Sequence, residues 1–111
     1  EHPQNSFAWA AHELTKPCRG GWCRADLCGG WTCEVDQSHF GHKARKATWL
    51  YAIGGWLPSL PWARKAGEFI VRDSRGDARS PEMPAGERHL TPPAFRDMLL
   101  EIARKAAMAP R

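Results

Sequence analysis

The chain has 111 residues, a net charge of +4 and a pI near 9.1, which fits a single domain with a modest core. Hydrophobic residues make up 42% and six residues are tryptophan, so a packed core is feasible and a low-complexity polymer is excluded. No apolar run approaches the ~20 residues that span a bilayer, and the N-terminal residues lack a signal-peptide pattern. We therefore expect no membrane partner and a cytoplasmic location, and the positive charge is compatible with a polyanionic partner.

The N-terminal segment predicts a turn followed by a short helix. Residues 1–6 have turn chemistry, and Ser6 can cap a helix over residues 7–15. The helix should end before Pro17, because the residue before a proline is pushed out of the helical region. Four apolar residues recur at helical spacing on one face, namely Phe7, Ala10, Ala11 and Leu14. We expect this face to lie against a sheet.

Two segments with alternating apolar residues predict a β-hairpin. They cover residues 21–26 and 31–37, and they are joined by residues 27–30, which end in two glycines. The apolar face is predicted to carry Cys23, Ala25, Leu27, Trp31, Cys33 and Val35. The opposite face is predicted to carry Arg24, Asp26, Thr32, Glu34 and Asp36.

The stretch over residues 37–54 is predicted to organise the rest of the chain. Its apolar second half, residues 47–53, ends at two glycines and is typical of a strand buried on both faces. Its polar first half is then a loop at the mouth of that strand, where functional residues tend to lie. The candidate nucleic-acid-binding residues are Gln37, His39, His42, Lys43, Arg45 and Lys46.

The basic residues of this loop can neutralise phosphates, although a charged run is equally compatible with a solvated loop. His39 and His42 could bind a metal together with a carboxylate, but as loop residues they are favoured as ordinary polar groups.

The remainder of the chain predicts irregular structure followed by one amphipathic helix. Pro58 and Pro61 forbid a long regular element, residues 69–71 can form a short edge strand, and residues 73–90 are expected to be a mobile loop. The last helix is expected to be capped by Thr91 with Pro92 in its first turn. Its apolar stripe consists of Phe95, Met98, Leu99, Ile102, Ala103 and Ala106, and Glu101 precedes Lys105 by four residues. The predicted fold is a single α/β domain with a small sheet covered by the two helices.

The four cysteines are evenly spaced, with four residues between successive members: Cys18, Cys23, Cys28 and Cys33. Four thiolates can bind zinc tetrahedrally, but zinc knuckles usually place two cysteines two residues apart, and this chain has no such pair. Buried or incidental thiols are therefore favoured over zinc, a disulfide or a nucleophilic cysteine.

Four short motifs, in this order, carry a resemblance to a known family. Glu1-His2-Pro3 followed by Ser6 and Trp9 is similar to an E-N-P-x-x-S-x-x-W motif. The segment 40–54 is similar to a Tyr-Gly turn before a Gln-x-Arg-x-Arg motif and a strand that ends in glycine. Residues 46–50 resemble a K-P-T-x-L strand, and residues 91–95 resemble a P-P-x-L helix start.

Together these motifs resemble the C-terminal half of the DNA cytosine methyltransferase-like proteins of phages and prophages. The resemblance implies a Rossmann-like sheet, binding of S-adenosylmethionine and methylation of a flipped cytosine. It implies that Glu1 holds the edge of the base and that Arg45 or Lys46 corresponds to the basic motif near it. The Gln-x-Arg-x-Arg pattern is displaced here, because Gln37 precedes Arg45 by eight residues.

The glycine-rich cofactor loop and the Pro-Cys nucleophile loop of that family do not occur in these residues. The resemblance therefore implies a fragment, a decayed copy or half of a split protein, with no cofactor in this chain and S-adenosylmethionine bound only if the missing half is supplied. DNA is the expected partner, and a protein partner or second copy is expected to cover an apolar sheet edge. Two alternatives stay open: a small basic nucleic-acid-binding module, with or without zinc, and an interaction protein that docks through its C-terminal helix.

Overall fold

The computed structural model describes residues 1–18, 20–67 and 90–108. The strands are β1 (His2–Pro3), β2 (Cys23–Arg24), β3 (Gly30–Asp36) and β4 (Ala47–Ile53). The helices are α1 (Phe7–Ala11) and α2 (Pro93–Met108), with one turn of 3₁₀ helix at Gln37–Phe40. The predicted edge strand at residues 69–71 lies outside the described residues, as does all but the last residue of the predicted loop at 73–90.

The four strands form one sheet in the order β1-β4-β3-β2. The predicted α/β class is confirmed, with a hairpin and a core strand accompanied by an N-terminal and a C-terminal helix. Within that class, all of the described strand pairs are antiparallel, whereas the sheet implied by the resemblance pairs parallel strands.

The core strand β4 has the predicted bounds and pairs with β3 along its whole length, from Ala47 opposite Asp36 to Ile53 opposite Gly30. Its first half is buried on both faces, as expected, at Thr48, Trp49 and Leu50. Its second half is not, since Tyr51 is 37% and Ile53 is 39% exposed. The continuous apolar sequence therefore predicted more burial at the end of β4 than the structure shows.

The first residues form an edge strand rather than the predicted turn. His2 pairs with Trp49 and Pro3 with Thr48, and the backbone N–H of Gln4 donates to the Ala47 carbonyl over 3.1 Å. Proline has no N–H to contribute to a ladder, and an edge strand is where a sheet tolerates that loss. The sequence pattern missed this strand because two residues are too few to show alternation.

Helix α1 starts as predicted but is shorter and packs through a different face. The Ser6 hydroxyl accepts the Ala8 N–H over 3.2 Å, which confirms the cap. The helix ends at Ala11, and Phe7 is 92% exposed. Trp9 is buried instead, and it packs edge-on against Trp49 at 5.5 Å between ring centroids. A five-residue helix has little more than one turn, so the largest side chain decides which face is buried.

The hairpin is confirmed, but its register differs from the prediction. Cys23 pairs with Thr32 and Arg24 with Trp31, so Arg24 shares the face of the apolar β3 residues and its guanidinium lies 5.7 Å over the Trp31 ring. A shift of one residue moves every side chain of a strand to the other face. Leu27, predicted on the apolar face, is 96% exposed in the turn.

The hydrophobic core lies between the sheet and α2. Its buried centre is formed by Cys33, Val35, Leu50 and Phe95. Ile102 is also buried and Met98 and Leu99 pack around the centre, so the predicted stripe of α2 is confirmed apart from Ala103, which is exposed. α1 covers the opposite face of the sheet, where Trp9 Nε1 donates to the buried Thr32 hydroxyl over 3.2 Å.

Candidate nucleic-acid interface

The polar loop between β3 and β4 is closed by its own backbone. The N–H of Gln37 donates to the Lys46 carbonyl and the N–H of Ser38 to the Arg45 carbonyl, each over 3.3 Å. Gly41 ends the 3₁₀ turn with φ of 99°, a conformation that favours glycine. The backbone therefore fixes where each candidate side chain of the loop lies.

Two of the six candidate loop residues lie inside the protein. Gln37 is fully buried, and its Nε2 donates over 2.9 Å to the Thr48 hydroxyl, which in turn donates to the Lys46 carbonyl over 3.0 Å. His42 is only 6% exposed, and its Nδ1 accepts the Ala44 N–H over 2.9 Å. These buried side chains hold the loop together through hydrogen bonds inside the protein.

Arg45 is committed to an internal ion pair. Its Nε lies 2.7 Å from Oδ2 of Asp36, which is only 3% exposed, and its guanidinium also lies 4.0 Å from Glu34. The same Asp36 oxygen accepts the Lys65 N–H over 2.9 Å. Removing the arginine would leave the buried Asp36 carboxylate without its charged partner, so Arg45 is better suited to holding the loop than to binding phosphate.

The segment at residues 63–67 covers one side of the loop. The His39 ring nitrogen Nε2 lies 2.6 Å from the Ala63 carbonyl, so Nε2 carries the proton and donates. The Ser38 hydroxyl donates to the Lys65 carbonyl. Gly67 lies so close that a Cβ there would come within 2.3 Å of the Lys43 carbonyl oxygen. The His39 side chain therefore holds this segment against the loop and is not an isolated ligand.

Lys46 is the candidate residue with the most unusual environment. Its backbone is left-handed, with φ of 43°, although it carries a Cβ. Such a conformation costs free energy in an L-residue and is concentrated at functional positions. The side chain is half-buried, and burial lowers the pKa of its ammonium group, while the negative charge of Glu1 acts in the opposite direction.

The edge strand β1 places Glu1 beside β4, where its charge acts on this lysine. Because Pro3 pairs with Thr48 and His2 with Trp49, Glu1 lies at the edge of β4, on the face that carries Thr48 and Leu50. The exposed Glu1 also lies at the rim of a cavity of about 560 Å³ between β4 and α2. Its apolar wall includes Trp22, Leu50, Ile53, Leu99 and Ile102.

The structure thus divides the predicted site. It places Glu1 where its charge acts on Lys46 and leaves Lys43 exposed. The other four candidates, Gln37, His39, His42 and Arg45, take part in internal hydrogen bonds or ion pairs. The cavity was missed by sequence reasoning. The alternation of side chains along β4 could have indicated the cavity, because Thr48 and Leu50 lie on the same face of the strand, the one that faces α2.

The four cysteines lie in different surroundings. In the part of the chain that the structure describes, no three His, Cys, Asp or Glu side chains are grouped closely enough to hold a metal ion. Cys33 is fully buried in the core, where burial raises the pKa of its thiol, and Cys28 is exposed in the hairpin turn. Cys18 and Cys23 lie next to each other at the start of β2.

No helix within residues 1–18, 20–67 and 90–108 combines the length and apolar character needed to cross a membrane. Comparisons with known protein families, with curated proteins and with solved structures gave no match to this chain.

Proposed function

We propose that this chain is a DNA-associated, methyltransferase-like protein or fragment, related to the DNA cytosine methyltransferases of phages, in which Glu1 and Lys46 recognise a base. The observation that carries the proposal is the position of Glu1 at the rim of a cavity, from which its negative charge also acts on the half-buried Lys46. They are far apart in sequence, and the resemblance implies a base-recognising role for the first and a basic role for the second.

The chemistry of cytosine fits this pair. A carboxylate accepts a hydrogen bond from the exocyclic amino group of cytosine, whereas thymine presents an acceptor oxygen at the same position. A half-buried ammonium group can donate to the ring carbonyl or to a neighbouring phosphate. A base in this position must be single-stranded or flipped out of its duplex, because its hydrogen-bonding edge has to reach Glu1.

The described residues do not fit S-adenosylmethionine as a complete site. A cofactor site of the implied kind uses a glycine-rich loop after a parallel strand, and the described strands pair only in antiparallel fashion. We therefore assign base recognition, and no methyl transfer, to this chain alone. The proposal includes a cytoplasmic location and a protein partner or second copy at the edge of β4, where β1 pairs only with Thr48 and Trp49.

Fluorescence anisotropy with short single-stranded DNA tests the proposal. The protein is titrated into labelled oligonucleotides that differ only in a central cytosine or thymine, at one salt concentration. We expect the cytosine oligonucleotide to bind about fivefold or more tightly, the range of one specific base contact. Glu1→Gln should abolish the preference, and Lys46→Met should weaken binding to both oligonucleotides.

Matched controls are available on the exposed segment after α1. Glu13→Gln and Lys16→Met make the same charge changes at exposed positions and should leave both affinities unchanged. A cytosine preference that survives Glu1→Gln would contradict the proposal. Equal affinity for the two oligonucleotides, with a steep salt dependence that falls when Lys43 is replaced by Ala, would favour the basic nucleic-acid-binding module instead.

The third reading, an interaction protein that docks through α2, has less support. The apolar residues of α2 pack on the chain's own sheet, since Phe95 is fully buried and Ile102 is 7% exposed. This packing leaves Leu100 as an exposed large apolar side chain of that helix. Absence of DNA binding together with concentration-dependent association would restore that reading.

A further inference from the structure

Cys18 and Cys23 are neighbours in space at the start of the hairpin. The backbone N–H of Cys18 donates to the Cys23 sulfur over 3.1 Å. Cys18 is exposed to solvent and Cys23 is half-buried. The chain reverses between them through Gly20, whose φ of 84° favours glycine.

We propose that Cys18 and Cys23 form a reversible disulfide when the protein meets an oxidised low-molecular-weight thiol such as glutathione disulfide. The Cys18 thiolate attacks one sulfur of glutathione disulfide, which forms a mixed disulfide and releases one glutathione thiolate. The Cys23 thiolate then attacks the Cys18 sulfur and releases the second glutathione. Two protein thiols are oxidised, one glutathione disulfide is reduced to two glutathione molecules, and the two protons go to the released thiolates.

The order of attack follows from access. Cys18 is exposed and can meet a soluble oxidant, whereas the half-buried Cys23 only has to reach the sulfur beside it. The neighbouring Cys23 side chain raises the pKa of Cys18, so the first step should become faster as the pH rises. Cys33 is fully buried, which removes it from direct oxidation, and Cys28 lies in the turn at the other end of the hairpin.

The disulfide would close a ring around Trp22, which lies between the two cysteines. Trp22 packs against the core, and its indole N–H donates to the Pro58 carbonyl over 2.8 Å. Its ring also contacts Trp62 edge-on, at 6.3 Å between centroids, and lines the cavity beside β4. Oxidation would therefore restrict the segment that carries Trp22, and this would make one wall of the cavity more rigid.

The test equilibrates the whole chain with a series of reduced-to-oxidised glutathione ratios, followed by acid quenching and mass spectrometry of tryptic peptides. We expect a species that has lost two hydrogens, with Cys18 linked to Cys23, and its fraction should rise with the oxidised form and reverse on reduction. In a thermal melt the oxidised protein should unfold roughly 4–10 °C higher, because a short ring restricts the unfolded chain.

Three variants distinguish this pair from the other thiols. Cys28→Ser should form the disulfide as readily as the parent chain, whereas Cys18→Ser and Cys23→Ser should not form it. A glutathione adduct that persists on Cys18 without ring closure would overturn the proposal. So would linkage through Cys28 or Cys33, or thiols that stay reduced at the most oxidising ratio.

Discussion

Replacing Lys46 with glycine is expected to stabilise the fold and to weaken DNA binding at the same time. Lys46 has a left-handed backbone with φ of 43° just before β4, and the negative charge of Glu1 acts on its half-buried ammonium group. Glycine adopts that backbone without a steric penalty. The backbone hydrogen bond from the Gln37 N–H to the carbonyl of residue 46 needs no side chain and should persist.

The size of the effect follows from two opposing terms. A left-handed conformation costs an L-residue about 1–2 kcal/mol, which glycine recovers. Glycine gives the unfolded chain more freedom, and this costs about 0.4–1 kcal/mol. The difference predicts a gain of about 0.5–1 kcal/mol in the free energy of unfolding and a rise of about 2–6 °C in Tm. Removing a half-buried charge acts in the same direction, while the lost attraction to the exposed Glu1 is weakened by solvent.

Urea denaturation followed by tryptophan fluorescence measures the stability, and the anisotropy titration measures binding. Lys46→Ala is the informative comparison, because alanine removes the charge but keeps the Cβ and the backbone strain. Glu13 has a left-handed backbone too, with φ of 56°, at an exposed position. Glu13→Gly should give a similar gain in stability with unchanged DNA binding. The reasoning fails if Lys46→Gly is no more stable than Lys46→Ala, or if Lys46→Gly binds DNA as the parent chain does.

Two further substitutions test the loop and the hairpin turn. Gly67→Ala should destabilise the fold by about 1–3 kcal/mol in the same urea assay, because its Cβ would meet the Lys43 carbonyl at 2.3 Å and backbone cannot move aside cheaply. Gly21→Ala, with no atom within 4 Å, is the control, and equal effects would refute the close approach. The Tyr51 hydroxyl donates to Asp26 over 2.5 Å, which lowers the pKa of Asp26 and raises the pKa of Tyr51 to about 12. The parent chain should therefore be more stable than Tyr51→Phe by a constant amount between about pH 5 and 9. This difference should fall as acid protonates Asp26 and as alkali ionises Tyr51. A difference in stability that does not depend on pH would refute the coupling.

Local signals predicted the elements whose residues determine their own structure. The apolar run between the basic loop and two glycines predicted β4 with its observed bounds, and the spacing of Phe95 and Ile102 predicted the buried face of α2. The cap by Ser6 was also visible, because a hydroxyl before a helix has a local partner. These features depend on neighbours within one or two turns of the chain.

The candidate site was less predictable because its chemistry depends on distant partners. Arg45 looks like a phosphate-binding residue until β3 places the Asp36 carboxylate 2.7 Å from it. Gln37 looks like a loop amide until Thr48 receives its hydrogen bond inside the protein. In the other direction, only the pairing of β1 with β4 reveals that Glu1 lies at the rim of the cavity.

The residues that carry the family resemblance therefore have two separable roles. Gln37, His42 and Thr48 are buried and form the hydrogen bonds that hold the loop on the strand, so their loss should be measured first as lost stability. Glu1 and Lys46 are not fully buried. Lys46 adopts a backbone that costs free energy, and the hydrogen bonds that its carbonyl accepts do not require a lysine side chain. A lysine kept in an unfavourable backbone conformation, with a carboxylate whose charge acts on it, is better explained by binding than by folding. For that reason, a variant that gains stability while it loses DNA binding is the strongest single result in favour of the proposed base-recognition pair.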